Sequence, residues 1–351
     1  MVPDALPRGT PQPDAVPLTR RWPQVSPERL VAELVPPPRF RTARFATYDP
    51  DPAQPSQSDA VHALQSYAGS LSPQRRSRWR RTGHEQRRGR YLDGGFGVGK
   101  THLLAALWHE APQPSAYGTF VGYTHLVGAL GFNDSVRALS AHRLVCIDEF
   151  ELDDPGDTVL MSTLLTRLAD AGVSLAATSN TLPGALGEGR FAAADFRREI
   201  QALSARFDVV HIEGEDYRHR GLQPAPSAAG DAETREWASA GDAALDDFGD
   251  LLHHLAQVHP SRYGALLDDV HAVAWTGVHP VDDQAAALRL VVLTDRLYDR
   301  DIPLVVSGIP VDRVFPEPLL RGGYRKKYYR AVSRLTALAH EAHLHTHRAG
   351  R

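Results

Sequence analysis

The sequence is short of cysteine, of long apolar runs and of any surplus of charge. Its 351 residues include a single cysteine, Cys146. No disulfide can form within the chain, and a reducing compartment, the cytoplasm, is expected. No apolar run approaches the roughly 18 residues of a bilayer-spanning helix, so no helical membrane span is predicted. The formal net charge is −3, which gives no overall basic bias toward nucleic acid. Met1 to Pro23 is rich in proline and lacks the apolar core of a secretory signal, so it reads as part of a disordered leader. There is no internal repeat. Apolar residues make up 42% of the chain, enough for a sizeable core, and the length suits about two domains.

The feature around which the chain is organised is Gly94-Gly95-Phe96-Gly97-Val98-Gly99-Lys100-Thr101, which fits G-x-x-x-x-G-K-[ST] at every fixed position. Tyr91 and Leu92 before it end a strand. Thr101 opens a helix through Leu103, Leu104 and Leu107. The glycines let the backbone wrap an anion, and the helix N-terminus faces the same anion. Lys100 reaches the β- and γ-phosphates of ATP, and the Thr101 hydroxyl binds Mg²⁺. A glycine-rich turn matching by chance would lack this strand before and helix after.

A second signal is Arg143-Leu144-Val145-Cys146-Ile147-Asp148-Glu149-Phe150. Four apolar residues predict a buried parallel strand with two acids at its C-terminal end, where open α/β sheets bind ligands. Asp148 suits Mg²⁺, directly or through water. Glu149 suits the base that polarises the attacking water. Val159 to Ala171 has helical periodicity and Gly172 closes it. The next strand, Val173 to Asn180, places Asn180 at its end, to bond the γ-phosphate or the attacking water. A further strand is expected at 208–212.

Elsewhere the residues leave alternatives open. Tyr48 and Gln57 lie just upstream of the loop and either touch adenine or pack and cap, with Ser56 capping the helix that follows. Eight arginines between Arg75 and Arg90 form either a solvated loop before a strand or an anion- or nucleic-acid-binding loop. Beyond residue 241 the patterns predict a helix from Phe248, a strand at 271–278, a helix at 285–298, a strand at 302–307 and a helix at 328–339. His340, His343, His345 and His347 end the chain, without the H-E-x-x-H spacing of zinc proteases.

In order, the phosphate loop, the Asp-Glu strand and the Asn-bearing strand resemble an AAA+ ATPase. More closely, the chain is similar to the ZapE family, bacterial cell-division ATPases with mitochondrial AFG-like relatives. The resemblance rests on Arg44-Phe45-Ala46-Thr47-Tyr48 with Pro55-Ser56-Gln57, on 91–101, on Ile147-Asp148-Glu149-Phe150 and on Ala177-Thr178-Ser179-Asn180. Asp216-Tyr217-Arg218, the run RLVVLTDRLYD at 289–299, and Ser333-Arg334-Leu335 continue it. It implies an α/β fold, a P-loop NTPase with an AAA+-like parallel sheet flanked by helices and a smaller C-terminal part, mostly helical or α+β. The expected organisation is a disordered leader at 1–30, an ATPase core at 31–220, a linker or mobile insertion at 221–241, and a C-terminal domain at 242–351 ending in the histidine-rich tail.

The resemblance also implies an ATPase working as a homo-oligomeric ring, a hexamer, that moves a protein client. An FtsZ-type division protein or a quality-control substrate is the expected partner, with an ATP-switched helicase loader as the alternative. A neighbouring subunit should supply an arginine to the γ-phosphate. The family has a Leu-Gln-Arg segment after the Asn-bearing strand, then Phe-Leu-Pro. Here alignment back from Phe196 puts Ala193 at the arginine's place. Arg190, three residues earlier, is the candidate, with Arg197 and Arg198 competing from a helix expected to continue through Ile200, Leu203 and Phe207.

Overall fold

The computed structural model describes residues 16–71, 89–95, 97–150, 155–181, 201, 204–214 and 224–349. It divides into two compact units, one of residues 25–222 and one of 1–24 with 223–351.

The first unit runs α1 (Pro27–Ala32), α2 (Pro55–Leu71), β1 (Gly89–Gly94), α3 (Lys100–Glu110), β2 (Ser115–Thr119), α4 (Phe120–Leu130), α5 (Phe132–Leu139), β3 (Leu144–Asp148), α6 (Pro155–Asp170), β4 (Ser174–Ser179) and β5 (Phe207–Ile212). Its five strands form one parallel sheet in the order β2-β3-β4-β1-β5. The inner strands β3 and β4 are buried along their whole length. That is why they read as continuous apolar or small-residue runs. Strand β5, at the sheet edge, is buried only at its ends, Phe207 and Ile212, with half-buried and exposed positions alternating between them; Phe207, expected in the helix after Arg198, thus opens a strand. Successive residues of a strand face opposite sides. Val145 and Ile147 therefore pack with Tyr91, Phe120, Tyr123, Leu164, Leu165 and Leu168, while Leu144 and Cys146 pack with Leu64, Leu92, Leu103, Leu104 and Leu107. Gly118 to Tyr123, which from its residues alone reads as a strand or strand edge, ends one strand and starts a helix. Thr119 caps α4, its hydroxyl accepting from the Gly122 amide at 3.0 Å.

The second unit holds α7 (Asp231–Gly241), β6 (Ala244–Asp247), α8 (Phe248–Gln257), α9 (Tyr263–Leu266), β7 (Val273–Val278), α10 (Gln284–Asp299), β8 (Leu304–Gly308), α11 (Glu317–Arg321) and α12 (Arg325–Ala349). Its strands form a three-stranded parallel sheet, β6-β7-β8. Two sequence expectations differ from this. The stretch 221–241 contains α7, whose Ala238 packs with Ala243, Ala272 and Ala274; small residues make this contact without the large apolar repeat that marks a helix in sequence. Part of the 1–30 leader is also ordered. Leu18 is fully buried in the core of this unit. The Asp246 carboxylate accepts from the Leu18 and Thr19 amides, each at 2.9 Å, and from the Thr19 hydroxyl at 2.7 Å. Among the described residues, no helix is long and apolar enough to cross a membrane.

Candidate active site

Parallel pairing brings the C-terminal ends of β1, β3 and β4 into one row. Asp93 is level with Ser179, Ile147 with Ala177, and Thr119 with Asp148. Loops leaving these ends share one edge of the sheet, the edge at which such sheets take ligands.

The loop after β1 turns into α3 through Gly99, which sits in the left-handed region at φ 85. A Cβ there would lie 2.4 Å from Cε2 of Tyr48, so glycine is required by both conformation and space. At the start of the loop, a Cβ on Gly94 would lie 2.3 Å from the Ile212 carbonyl oxygen. The Lys100 ammonium is largely buried and donates to the carbonyls of Gly94, at 2.8 Å, and of Gly95. The lysine thus lies across the mouth of its own loop.

Tyr48 and Gln57 pack here. The Tyr48 hydroxyl donates to the Val98 carbonyl at 2.8 Å, and its ring lies 5.8 Å from that of His102. Gln57 is buried and engaged at both ends of its amide: Oε1 accepts from the Asp51 amide at 2.8 Å and Nε2 donates to the Glu213 carbonyl at 2.9 Å. Ser56 lies inside α2 rather than at its cap, and its hydroxyl accepts from the Glu213 amide at 2.9 Å. Tyr48 thus bonds the phosphate loop directly, while Gln57 and Ser56 both hold Glu213, just after β5.

Asp148, 6% exposed, closes β3. Its Oδ1 accepts from the Thr101 hydroxyl at 3.3 Å, from the Glu149 amide at 3.1 Å and from the Thr178 hydroxyl; its Oδ2 accepts from the Tyr117 hydroxyl at 2.9 Å. Burial, and after it the neighbouring Glu149 charge, push the Asp148 carboxyl above its ordinary range, against the pull of the Thr178, Tyr117 and Thr101 hydrogen bonds. Thr101 and Asp148 together offer a hydroxyl and a carboxylate oxygen, a donor set that suits a hard cation such as Mg²⁺. Glu149 follows with left-handed backbone, φ 54, unusual for a residue with a Cβ. Asn180 comes directly after β4, half-buried, at the end of the strand between β1 and β3. Cys146, two residues before Asp148, is a buried thiol. Burial first, then the Asp148 charge, hold its pKa well above the ordinary value, so it is not a nucleophile.

The structure brings together the ends of the elements that carry Gly94, Gly95, Gly97, Val98, Gly99, Lys100, Thr101, Asp148, Glu149 and Asn180. Phe96, Arg190, Arg197, Arg198, Asp216-Tyr217-Arg218 and the arginine-rich stretch before Gly89 lie outside the described residues. Two groups that contact the site were not singled out in the sequence. Thr178 and Tyr117 are both buried polar residues close to strand ends, and that combination is the signal by which they could have been found.

Comparison with known proteins follows the same lines. The chain is 26% identical over 307 residues to the cell division protein ZapE of Escherichia coli strain K12, covering 75% of this chain and 81% of that one. Among solved structures it is similar to domain III of the replication initiation protein DnaA from Thermotoga maritima, at 16% identity, TM-score 0.37, covering 65% of this chain and 87% of that one. It is also similar to AMPPCP-bound DnaA from Aquifex aeolicus, at 14% identity, TM-score 0.38, covering 50% and 51%. The family model described as AFG1-like ATPase matches residues 24–247 and 227–347. That match spans most of the chain, and the chain belongs to the AFG1-like ATPase family.

Proposed function

We propose that this chain binds ATP with Mg²⁺, hydrolyses it to ADP and phosphate, and uses the cycle to remodel a protein client. The observation that carries the reading is the Thr101–Asp148 hydrogen bond at 3.3 Å. It joins the phosphate loop to the acidic strand end. Lys100 would exchange the Gly94 and Gly95 carbonyls for the β- and γ-phosphate oxygens, contributing a point charge there. The Thr101 hydroxyl and the Asp148 carboxylate would hold Mg²⁺, which when bound would supply charge compensation on the phosphates. Glu149 accepts the proton of the attacking water as its oxygen bonds to the γ-phosphorus and the bond to the leaving ADP oxygen breaks. Asn180 orients that water or the γ-phosphate. Arg190 of a neighbouring subunit offsets charge on the transferring group.

The chain works as a homo-oligomeric ring, a hexamer, in the cytoplasm. Its likeness to a cell division protein supports a client in the division machinery, of the FtsZ type, or in protein quality control. The net charge of −3 opposes nucleic acid as the partner. The test is an ATPase assay with Lys100→Ala, with and without DNA, beside capture of cellular clients. Loss of labelled ATP binding in Lys100→Ala and a DNA-independent wild-type rate are expected. Normal binding by Lys100→Ala would overturn the loop assignment. Steep, salt-sensitive stimulation by DNA would replace the client reading with the helicase-loader reading.

A further inference from the structure

The backbone at Glu149 is held by a residue on another strand. Thr178 is 2% exposed and sits on β4, two residues before Asn180. Its hydroxyl has one proton to give. The Glu149 amide, 3.0 Å away, is itself a donor, so the hydroxyl must accept from it. The proton therefore goes to the other neighbour, Oδ1 of Asp148. A third bond completes the clamp: the Thr178 carbonyl accepts from the Phe150 amide at 2.7 Å. One residue of β4 thus grips Asp148, Glu149 and Phe150 in turn.

Glu149 needs such a grip. Adjacent residues of an extended strand point to opposite faces, and only a break in the extended backbone lets Asp148, the last residue of β3, and Glu149 after it serve one edge. The break is the left-handed conformation at Glu149, φ 54. It is unfavourable for any residue with a Cβ and persists only where neighbours over-determine it. The Glu149 amide has two acceptors, Thr178 Oγ1 and Asp148 Oδ1. Thr178 supplies the first directly and orients the second.

We propose that Thr178 is a positioning residue for hydrolysis, holding Glu149 in the left-handed turn that aims its carboxylate at the attacking water. The inference rests on the reading of Glu149 as the base. It also ties the base to the strand that leads into Asn180, so a displacement at the end of β4 reaches Glu149 through one side chain.

The experiment compares Thr178→Val, which keeps the shape and removes the hydroxyl, with Thr178→Ser, which keeps the hydroxyl. Each is made in the wild-type and Glu149→Gln backgrounds. Rates are taken in single and multiple turnover, nucleotide affinity with fluorescent ATP, and folding by circular dichroism. Thr178→Val should lower kcat by about 10²-fold, the scale of a 1 Å misplacement of a reacting group. KM and nucleotide affinity should stay unchanged, and Thr178→Ser should recover most of the rate. In the Glu149→Gln background, Thr178→Val should lower the residual rate no further, because the group it positions is already gone. If Thr178→Val does not fold, Thr178→Ala replaces it. Slow Glu149→Gln beside an unaffected Thr178→Val would overturn the proposal alone, as would an equal loss from Thr178→Val in both backgrounds, or a Thr178→Ser as slow as Thr178→Val. Wild-type turnover by Glu149→Gln would overturn the base assignment and the proposal with it.

Discussion

The Tyr117 hydroxyl donates to Oδ2 of Asp148 at 2.9 Å, across the pair of strands β2 and β3. The Thr101 and Thr178 hydroxyls and the Glu149 amide donate instead to Oδ1. Tyr117 and Asp148 are both buried, so the carboxylate depends on protein donors to stay charged. Tyr117→Phe removes the bond without emptying the space. Hydrogen bonds to charged groups are worth about 1.5–3 kcal/mol, and urea unfolding of the variant should show a loss in that range. A change below a few tenths of a kcal/mol would mean that Asp148 is protonated in the free protein and does not need the donor.

Tyr48 offers a second test, because its two sequence readings predict opposite phenotypes. The structure has the hydroxyl donating to Val98 in the phosphate loop at 2.8 Å and the ring against Gly99. Tyr48→Phe keeps the ring and loses the donor. A net hydrogen bond of about 1 kcal/mol corresponds to roughly fivefold weaker nucleotide binding, with kcat unchanged. If the ring instead stacked on adenine, Tyr48→Phe would be silent. Titration of wild type and variant with fluorescent ATP distinguishes the two.

A third prediction concerns the second unit and acid. Asp295 accepts from Arg330 Nη2 at 2.9 Å and from Arg334 Nη1, and the Arg334 guanidinium lies 5.1 Å from the centre of the Tyr298 ring. Burial alone would raise the Asp295 pKa; the two guanidiniums outweigh it and hold the carboxyl below its ordinary value. A carboxyl depressed on folding stabilises above its unfolded pKa, near 3.9, and loses that contribution as pH falls through the lower folded value. At pH 7, Asp295→Asn should destabilise by about 3 kcal/mol, since two partly buried arginines lose their partner. The gap between variant and wild type should narrow below about pH 4. A gap independent of pH in denaturant melts would assign the loss to packing rather than charge.

This same cluster indicates what could be read in advance. The runs 289–299 and 333–335 stood out in the sequence, but nothing local says that Asp295 of one meets Arg334 of the other. The strands and the placing of Lys100, Thr101, Asp148 and Asn180 at element ends were legible because each sits at the end of a strand or the start of a helix with a period of its own; the order of the strands in the sheet was not, because it is set by contacts between segments distant in the chain. Strand β6, Ala244–Asp247, was not, because half of its four residues are acids. Their reasons lie elsewhere: Asp246 binds Leu18 and Thr19, more than two hundred residues away, and Asp247 caps α8. Thr178 was hidden in a run of small residues, its hydroxyl partners lying on another strand.

The last prediction concerns the ring. In an AAA+-like ring the nucleotide lies at a subunit junction, and an arginine finger from the neighbour contributes on the order of 10³–10⁵ in rate. Arg190 follows the Asn180 strand end by ten residues, in the glycine-flanked segment Gly187-Glu188-Gly189-Arg190. Arg190→Ala alone should bind ATP and hydrolyse it poorly; Lys100→Ala alone should not bind ATP. Mixed in one assembly, the two should complement, because a Lys100→Ala subunit lends its intact Arg190 to the intact nucleotide site of an Arg190→Ala neighbour. Steady-state ATPase assays over a range of mixing ratios, with ring assembly followed by light scattering, give the readout. Wild-type speed in Arg190→Ala would remove Arg190 from the role and pass it to Arg197 or Arg198. A slow Arg190→Ala that no mixture rescues would place the arginine's action within its own subunit, since a residue acting only in cis cannot be supplied by a neighbour.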